Sequence, residues 1–224
     1  MGKEKKKNTG KTIGRWIVQG FFLLLFTILA VQGRLQAWIL ILGLGVLFSL
    51  FFGRLYCGWI CPMGTVMRLE SRIYKSLGIK RNSPGIKDLK SGNKGYISLL
   101  QGLLLAVFFG GMVATRRFGL QINLIVYLVL LGAGISLFFK EELWHRICPH
   151  GIANSLTAGI QKLKGRKMVI EKERCIGCGK CEQVCPNLAI VASGEEKKRR
   201  IVTKDCLVCF ECQRVCPTQA IAYR

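Results

Sequence analysis

The fold is decided by Cys175-Ile-Gly-Cys178-Gly-Lys-Cys181-Glu-Gln-Val-Cys185-Pro186, which recurs 31 residues later as Cys206-Leu-Val-Cys209-Phe-Glu-Cys212-Gln-Arg-Val-Cys216-Pro217. Both copies have the spacing C-x2-C-x2-C-x3-C-P. In this pattern three thiolates bind one [4Fe–4S] cluster, and the fourth binds the cluster of the other copy. The spacing therefore predicts two interleaved ligand sets: Cys175, Cys178, Cys181 and Cys216 for cluster 1, and Cys206, Cys209, Cys212 and Cys185 for cluster 2.

The pattern resembles the bacterial two-cluster ferredoxins over residues 168–224. The repeat extends to Ile170 and Ile201 before the cysteines. It therefore predicts an α+β domain in which short strands flank each cluster loop. Zinc is the alternative occupant, but it takes four cysteines in two pairs. That pairing would leave the C-x3-C-P arms unexplained.

The composition predicts a membrane protein. Half of the 224 residues are hydrophobic, yet 34 Lys and Arg against 12 Asp and Glu give a net charge of +22. A high hydrophobic content and a large net charge are compatible in one protein if the charged residues lie in loops between apolar spans. A net charge of this size also occurs in nucleic-acid binders. We expect no nucleic-acid partner, because no base-reading motif is present.

Four apolar stretches follow a basic tail at residues 1–15, near 16–31, 37–52, 96–114 and 120–139. A membrane helix needs about 20 mostly apolar residues. We predict a four-helix membrane domain at 16–151, built as two hairpins in the lipid bilayer. No span contains Asp, Glu, Lys, Arg or His, which argues against a pump or transporter acting alone.

Lysine and arginine set the predicted orientation. The links within the two hairpins carry one and two of these residues, whereas nine lie between the hairpins. Because cytoplasmic loops carry the excess of Lys and Arg, both termini should be cytoplasmic. The expected location is the cytoplasmic membrane of a prokaryote.

A second group of cysteines follows these hairpins. Cys57-Gly-Trp-Ile-Cys61-Pro-Met-Gly64 comes after span two, and Cys148-Pro-His-Gly151 comes after span four. A shift of 87 residues places Cys61 on Cys148 and predicts a parallel internal repeat. The same shift places Cys57 on Trp144, so the second copy lacks its first cysteine.

Four spans, these C-P-x-G elements and the two-cluster tail together resemble the NapH-type membrane ferredoxins of periplasmic nitrate reductase systems, and the wider group with NosR-like proteins. The resemblance implies electron transfer at the cytoplasmic membrane, between the quinone pool or a cytosolic donor and a redox partner. The family has two complete C-x3-C-P elements, and this chain departs from it at Trp144.

The remaining thiols suggest a third metal centre at Cys57, Cys61 and Cys148, with His145 as the first candidate for the fourth ligand. Imidazole replaces thiolate on iron in some clusters and raises their potential. The alternative is a vestigial site of reduced thiols, in which C-P-x-G is only a helix-breaking turn.

Two further segments have expected roles. Residues 152–167 form an amphipathic linker with apolar positions three and four residues apart. This linker would lie on the membrane surface or connect the domains through solvent. The basic block Lys197-Lys198-Arg199-Arg200 lies in the excursion between the ferredoxin repeats. It is either a solvated face or a docking site for a soluble ferredoxin or flavodoxin.

The sequence thus predicts an integral membrane protein that relays single electrons between a cytosolic donor or quinol and a membrane or extracytoplasmic partner, such as an oxidoreductase subunit. No haem, dinucleotide, P-loop or nucleophile motif is present. We therefore expect a relay subunit of an oxidoreductase system rather than an enzyme. The alternatives are a quinol dehydrogenase in its own right and a redox-sensing or metallocentre-assembly protein.

Overall fold

The computed structural model describes residues 2–79, 81, 94–119, 124–160, 166–193 and 198–224. The part before residue 161 is here called the helical region, and its described elements are helices. Its helices are α1 Gly2–Val31, α2 Gln36–Phe52, α3 Leu55–Trp59, α4 Pro62–Ser76, α5 Lys94–Arg117, α6 Leu124–Phe138, α7 Glu141–Ile147 and α8 Pro149–Gly159.

The part from residue 166 onward, here called the C-terminal region, mixes short strands and short helices. Its elements are β1 Met168–Ile170, α9 Lys180–Gln183, β2 Ile190–Ala192, β3 Arg199–Ile201, α10 Glu211–Val215 and β4 Ile221–Tyr223. Strand β1 pairs antiparallel with β4, and β2 pairs antiparallel with β3. A shift of 31 residues superimposes β1 on β3 and β2 on β4, in agreement with the sequence repeat.

Helices α1, α2, α5 and α6 lie where the four spans were expected. Among the described residues, the segment Gly10–Val31 within α1 is the one helix long and apolar enough to cross a membrane. The other three contain shorter apolar stretches, at Gln36–Phe52, Gln101–Thr115 and Ile125–Phe138. Residues 120–123, which open the expected fourth span, lie outside the described part of the chain.

The first two helices are held together by an aromatic cluster around Trp38. Trp38 is buried, and its ring meets Phe22 and Phe26 edge to face. Its indole Nε1 donates a hydrogen bond to the Tyr56 hydroxyl at 3.1 Å. The Tyr56 ring covers Gly45 so closely that a Cβ there would lie 2.8 Å from it. These contacts fix the segment that carries Cys57 against α2.

The C-terminal region rests on one end of the helical region. The Tyr223 hydroxyl donates to the Phe52 carbonyl at the end of α2, at 3.3 Å. Helix α8 lies between α2 and the turn Thr203–Asp205. The end of α2, helix α8 and the middle of α1 at Arg15 all contact the C-terminal region.

Two expectations about the later segments change. The helix expected within 152–167 begins earlier, because Pro149 at its first position starts α8 directly after Cys148. Ile152 is buried, whereas Leu156 and Ile160 of the same apolar stripe are exposed, and residues 161–165 lie outside the described part. In the basic block, Arg199 and Arg200 belong to strand β3 rather than to an excursion. Lys197 lies outside the described part.

Candidate iron–sulfur centres

The predicted ligands of cluster 1 come together around one small cavity of about 20 Å³. Apolar side chains such as Ile170 and Ile221 line much of the rest, together with Arg199 and Thr218. Of the eight cysteines in the two predicted sets, Cys178 is the one classed as exposed, and it therefore marks the solvent edge of this cavity. The four thiols that face it belong to Cys175, Cys178, Cys181 and Cys216.

The predicted ligands of cluster 2 surround a second cavity of about 20 Å³. This cavity is more deeply placed. Burial, followed by the neighbouring thiols, raises the pKa of Cys185 to about 11, and burial raises that of Cys206 to about 12. The thiols that face it belong to Cys185, Cys206, Cys209 and Cys212.

Both cavities fit a [4Fe–4S] cluster by donor chemistry. Such clusters take four cysteine thiolates, and hydrogen bonds to the sulfurs tune their potentials. The Ala189 amide donates to the Cys185 sulfur at 3.2 Å, so one such hydrogen bond is already formed. Within the described part of the chain, no three Cys, His, Asp or Glu side chains converge on a position for a single metal ion.

The cluster loops require backbone conformations that favour glycine. Gly177 and Gly179 have φ of 72° and 73°, in the left-handed region. Their counterparts one repeat later, Val208 and Phe210, have φ of 51° and 60° without being glycine. Positive φ is unusual for a β-branched residue and costs free energy that surrounding contacts must offset. Those contacts come from the helical region, as shown below.

The two C-P-x-G elements have nearly the same backbone. Cys61 has φ −60° and ψ 117°, Cys148 has φ −61° and ψ 119°, and each precedes a proline that begins a helix. Backbone N–H groups of the first helical turn act to lower the pKa of each thiol, those of Met63 and Gly64 for Cys61 and those of His150 and Gly151 for Cys148. Both thiols therefore lie at a helix N-terminus, where an anionic sulfur is favoured.

Cys57, Cys61 and Cys148 line one cavity of about 60 Å³, together with His145. Apolar side chains from α1, α2, α5 and α6 complete it. Burial and the two neighbouring cysteines raise the pKa of Cys61 to about 12, and burial raises that of Cys148 to about 11. A bound cation would reverse this effect, because a metal deprotonates the thiols that coordinate it.

His145 is 6% exposed, and its Nε2 atom has no hydrogen-bond partner. Burial, followed by repulsion from Arg54 and Arg68, lowers its pKa to about 3, so its imidazole is neutral. A neutral imidazole with an unused ring nitrogen beside three thiols has the chemistry of a metal ligand. Trp144, at the position of the absent cysteine, packs instead against Gly132 and Met63.

His150 also lines this cavity but has other partners. Its Nε2 lies 2.9 Å from Asn154 Nδ2, and its ring packs edge to face against Tyr56. Burial and Arg54 lower its pKa to about 4. Of the two histidines, His145 therefore has the ring nitrogen left for a ligand.

The turn Cys57–Cys61 lies directly on the loop that carries the cluster 2 cysteines. A Cβ on Gly58 would lie 2.0 Å from the Leu207 carbonyl oxygen, so this backbone contact requires glycine. The Trp59 indole Nε1 donates to the Val208 carbonyl at 2.9 Å, and its ring meets Phe210 edge to face. These contacts bring the two groups of cysteines next to each other.

The contact between the turn Cys57–Cys61 and the cluster 2 loop is here called the junction. Polar side chains that the sequence analysis did not single out stabilise it. Arg15 is 2% exposed, and it donates to the Cys209 carbonyl and to the Glu211 carboxylate. The Gly58 carbonyl accepts from Gln19 Nε2 at 2.9 Å and from Arg68 Nη1 at 2.8 Å. The position of Arg15, as the last cation before an apolar run, is the one sequence signal that points to it.

Family models support the assignment of cofactors. A 4Fe-4S binding domain model matches residues 34–80, which include Cys57 and Cys61. Two 4Fe-4S dicluster domain models match residues 139–189 and 167–217. The chain therefore binds two or more 4Fe–4S clusters, as predicted.

Several ferredoxin-type proteins are similar to the chain over most of its length. The methylamine utilization ferredoxin-type protein MauN of Methylorubrum extorquens is 29% identical in an alignment of 204 positions that covers 79% of this chain and 68% of that protein. The ferredoxin-type protein NapH of Haemophilus influenzae is 27% identical in an alignment of 154 positions that covers 66% of this chain and 53% of that protein. The chain is therefore similar to the NapH-type ferredoxin-like proteins.

A third relative agrees with this similarity. The putative electron transport protein YccM of Escherichia coli is 25% identical in an alignment of 161 positions that covers 63% of this chain and 44% of that protein. No solved structure gives a significant match. An electron-transfer role with redox protein partners follows, and the predicted resemblance is confirmed.

Proposed function

We propose that this protein is an integral membrane relay in which single electrons pass between cluster 1, cluster 2 and a third centre at Cys57, Cys61 and Cys148. Cluster 1 is bound by Cys175, Cys178, Cys181 and Cys216, and cluster 2 by Cys185, Cys206, Cys209 and Cys212. The single observation that carries the proposal is the packing of Gly58 and Trp59 on the loop Cys206–Cys209.

The cavity volumes support a third cluster. The site at Cys57, Cys61 and Cys148 measures about 60 Å³, against about 20 Å³ for each ferredoxin site. By this measure it has at least the room that each [4Fe–4S] site has. His145 is the fourth ligand in this proposal, because its Nε2 atom is buried and unpartnered in the same cavity.

In this proposal Cys57, Cys61, Cys148 and His145 hold a metal centre, so a quinol would donate electrons to that centre from outside its ligands. The chain's own part is to hold the clusters and to keep water from them with apolar side chains.

The packing also supports the proposed orientation. Arg15 near the start of the apolar part of α1 and Phe52 at the end of α2 both bond the C-terminal region. A hairpin of two spans has both outer ends on one side of a bilayer. We therefore place the C-terminal region and both termini on the cytoplasmic side, with α1, α2, α5 and α6 as the four spans.

Iron analysis with an EPR-monitored redox titration of the purified protein tests this function. Three clusters require about twelve irons per chain and two require about eight. The expected result is the higher value in the wild type and about eight in Cys57→Ser and Cys148→Ser. About eight irons in the wild type, with two EPR signals, would overturn the third centre and leave the two-cluster protein intact.

A further inference from the structure

The two halves of the C-terminal region have equivalent surfaces beside their first cysteines, here called edges. In the described part of the chain the helical region covers one of these edges. Leu207 and Ile176 occupy the same place in the 31-residue repeat, each directly after the first cysteine of its motif. Leu207 is 3% exposed because it lies against Gly58, whereas Ile176 is 67% exposed. A large apolar side chain thus stands open beside Cys178, the exposed cluster ligand.

The covered edge shows how such an edge is docked. Leu207 meets the backbone of Gly58, the Val208 carbonyl accepts from Trp59, and Glu211 binds the buried Arg15. The contact thus combines an apolar centre, a backbone hydrogen bond and one ion pair. In that pair the acidic partner belongs to the C-terminal region.

The open edge has the opposite charge. Lys180 stands in the repeat position of Glu211, and Arg174 stands in that of Asp205. Lys172, Arg174 and Lys180 are all exposed around Ile176. Two carboxylates lie nearby: Glu171, which pairs with Arg174 at 3.5 Å, and the exposed Glu173. A partner that repeats the docking mode of the covered edge must therefore supply the carboxylates.

We propose that the open edge around Ile176 and Cys178 is the docking site for a small, acidic one-electron carrier protein. The proposal rests on the relay function, for which it names the soluble partner and its place of contact. A carrier seated on Ile176 would bring its redox group to the exposed edge of cluster 1 and exclude water there. One electron would pass from the carrier's reduced iron–sulfur cluster to cluster 1. The carrier's cluster is oxidised and cluster 1 is reduced by one electron, and no bond forms and no proton moves.

The test uses the full-length, cluster-loaded protein and a reduced, acidic plant-type [2Fe–2S] ferredoxin as the probe. Titration calorimetry gives the Kd, and stopped-flow absorbance gives the rate of electron transfer. Lys180→Glu, Arg174→Glu and Ile176→Ser should each raise the Kd about fivefold to tenfold, with the loss mainly in the association rate for the two charge reversals. Wild-type affinity should fall as salt is added.

Lys75→Glu on α4 is the matched control, because it makes the same charge change at an exposed site in the helical region. Its Kd should stay within about twofold of the wild type, since a single charge far from a contact is screened at physiological salt. Iron content and EPR spectra show whether Lys180→Glu, next to Cys181, still holds its clusters. If Lys180→Glu loses its clusters, Arg174→Glu and Ile176→Ser still test the docking site.

Equal affinity of the wild type and all three edge variants, or an equal loss in Lys75→Glu, would overturn this docking site. The relay function fails in a different way. If chemical reductants reduce the ferredoxin clusters but no electron reaches the site at Cys57, Cys61 and Cys148, the relay is wrong whatever the Kd values show. If the electron reaches that site and the edge variants bind normally, the docking site alone is wrong.

Discussion

Gly58 lies against Leu207 so closely that a Cβ on Gly58 would be 2.0 Å from the Leu207 carbonyl oxygen. Real side-chain carbons do not approach a backbone oxygen to this distance, so only glycine permits the contact. The cysteine turn of the helical region and the cluster 2 loop therefore meet backbone to backbone. Two predictions concern this junction.

Gly58→Ala should separate the C-terminal region from the turn Cys57–Cys61. Forcing a methyl group into a packed contact costs about 1–3 kcal/mol, and here the obstacle is backbone, which yields less than a side chain. We expect a lower Tm, faster proteolysis between the two regions and a loss of magnetic coupling between cluster 2 and the third centre. Gly43→Ala is the control, because nothing lies within 4 Å of a Cβ there. Equal behaviour of the two variants would refute the contact.

Arg15→Ala should weaken the same junction from the side of α1. Arg15 is 2% exposed, and its guanidinium binds both Glu211 and the Cys209 carbonyl. Removing one partner of a fully buried pair costs about 3–5 kcal/mol when the other charge is left unpaired. Glu211 is 19% exposed and keeps its ion pair with Arg214 at 2.9 Å, so we expect a smaller loss, about 2 kcal/mol in chemical unfolding. Arg34→Ala, at an exposed site, should change the free energy of unfolding by less than about 0.5 kcal/mol.

How far the sequence could predict these features depends on how local each one is. The cysteine spacing is local, and it grouped the thiols that line each ferredoxin cavity. The left-handed backbone was readable at Gly177 and Gly179, but not at Val208 and Phe210, where contacts across the junction offset the strain. The contact of Arg15 with the cluster 2 loop joins residues 194 positions apart, and no sequence pattern encodes that distance.

Glu141 gives a prediction about pH. Burial raises the pKa of its carboxyl although Arg68 and Arg81 oppose the change, and its Oε2 atom has no hydrogen-bond partner. The folded protein therefore holds this proton at a pH where the unfolded chain has released it, and stability falls as pH rises above the ordinary value of 4.5. Glu141→Gln should raise the Tm at pH 8 and have less effect near pH 4.

The control for Glu141 is Glu173→Gln, since Glu173 is exposed. This variant should have the Tm of the wild type at both pH values. If Glu141→Gln lowers the Tm at pH 8, the carboxylate is stabilising in its ionised form and the prediction is wrong.

The last prediction concerns His145, which follows Trp144, the position of the absent cysteine. If His145 binds the third centre through Nε2, His145→Cys should keep the metal and lower its midpoint potential. The expected shift is on the order of 100 mV, because replacing cysteine by histidine on an iron raises the potential of a cluster. An EPR-monitored titration measures this shift, and the potentials of clusters 1 and 2 serve as internal references.

His150→Gln is the matched control, since the His150 ring nitrogen already meets Asn154. It should leave the iron content unchanged and move the midpoint potential of the third centre by much less than His145→Cys does. A larger shift in His150→Gln would exchange the roles of the two histidines. No shift in either variant, with the iron content intact, would mean that the fourth ligand is not a histidine and that three thiols hold the centre alone.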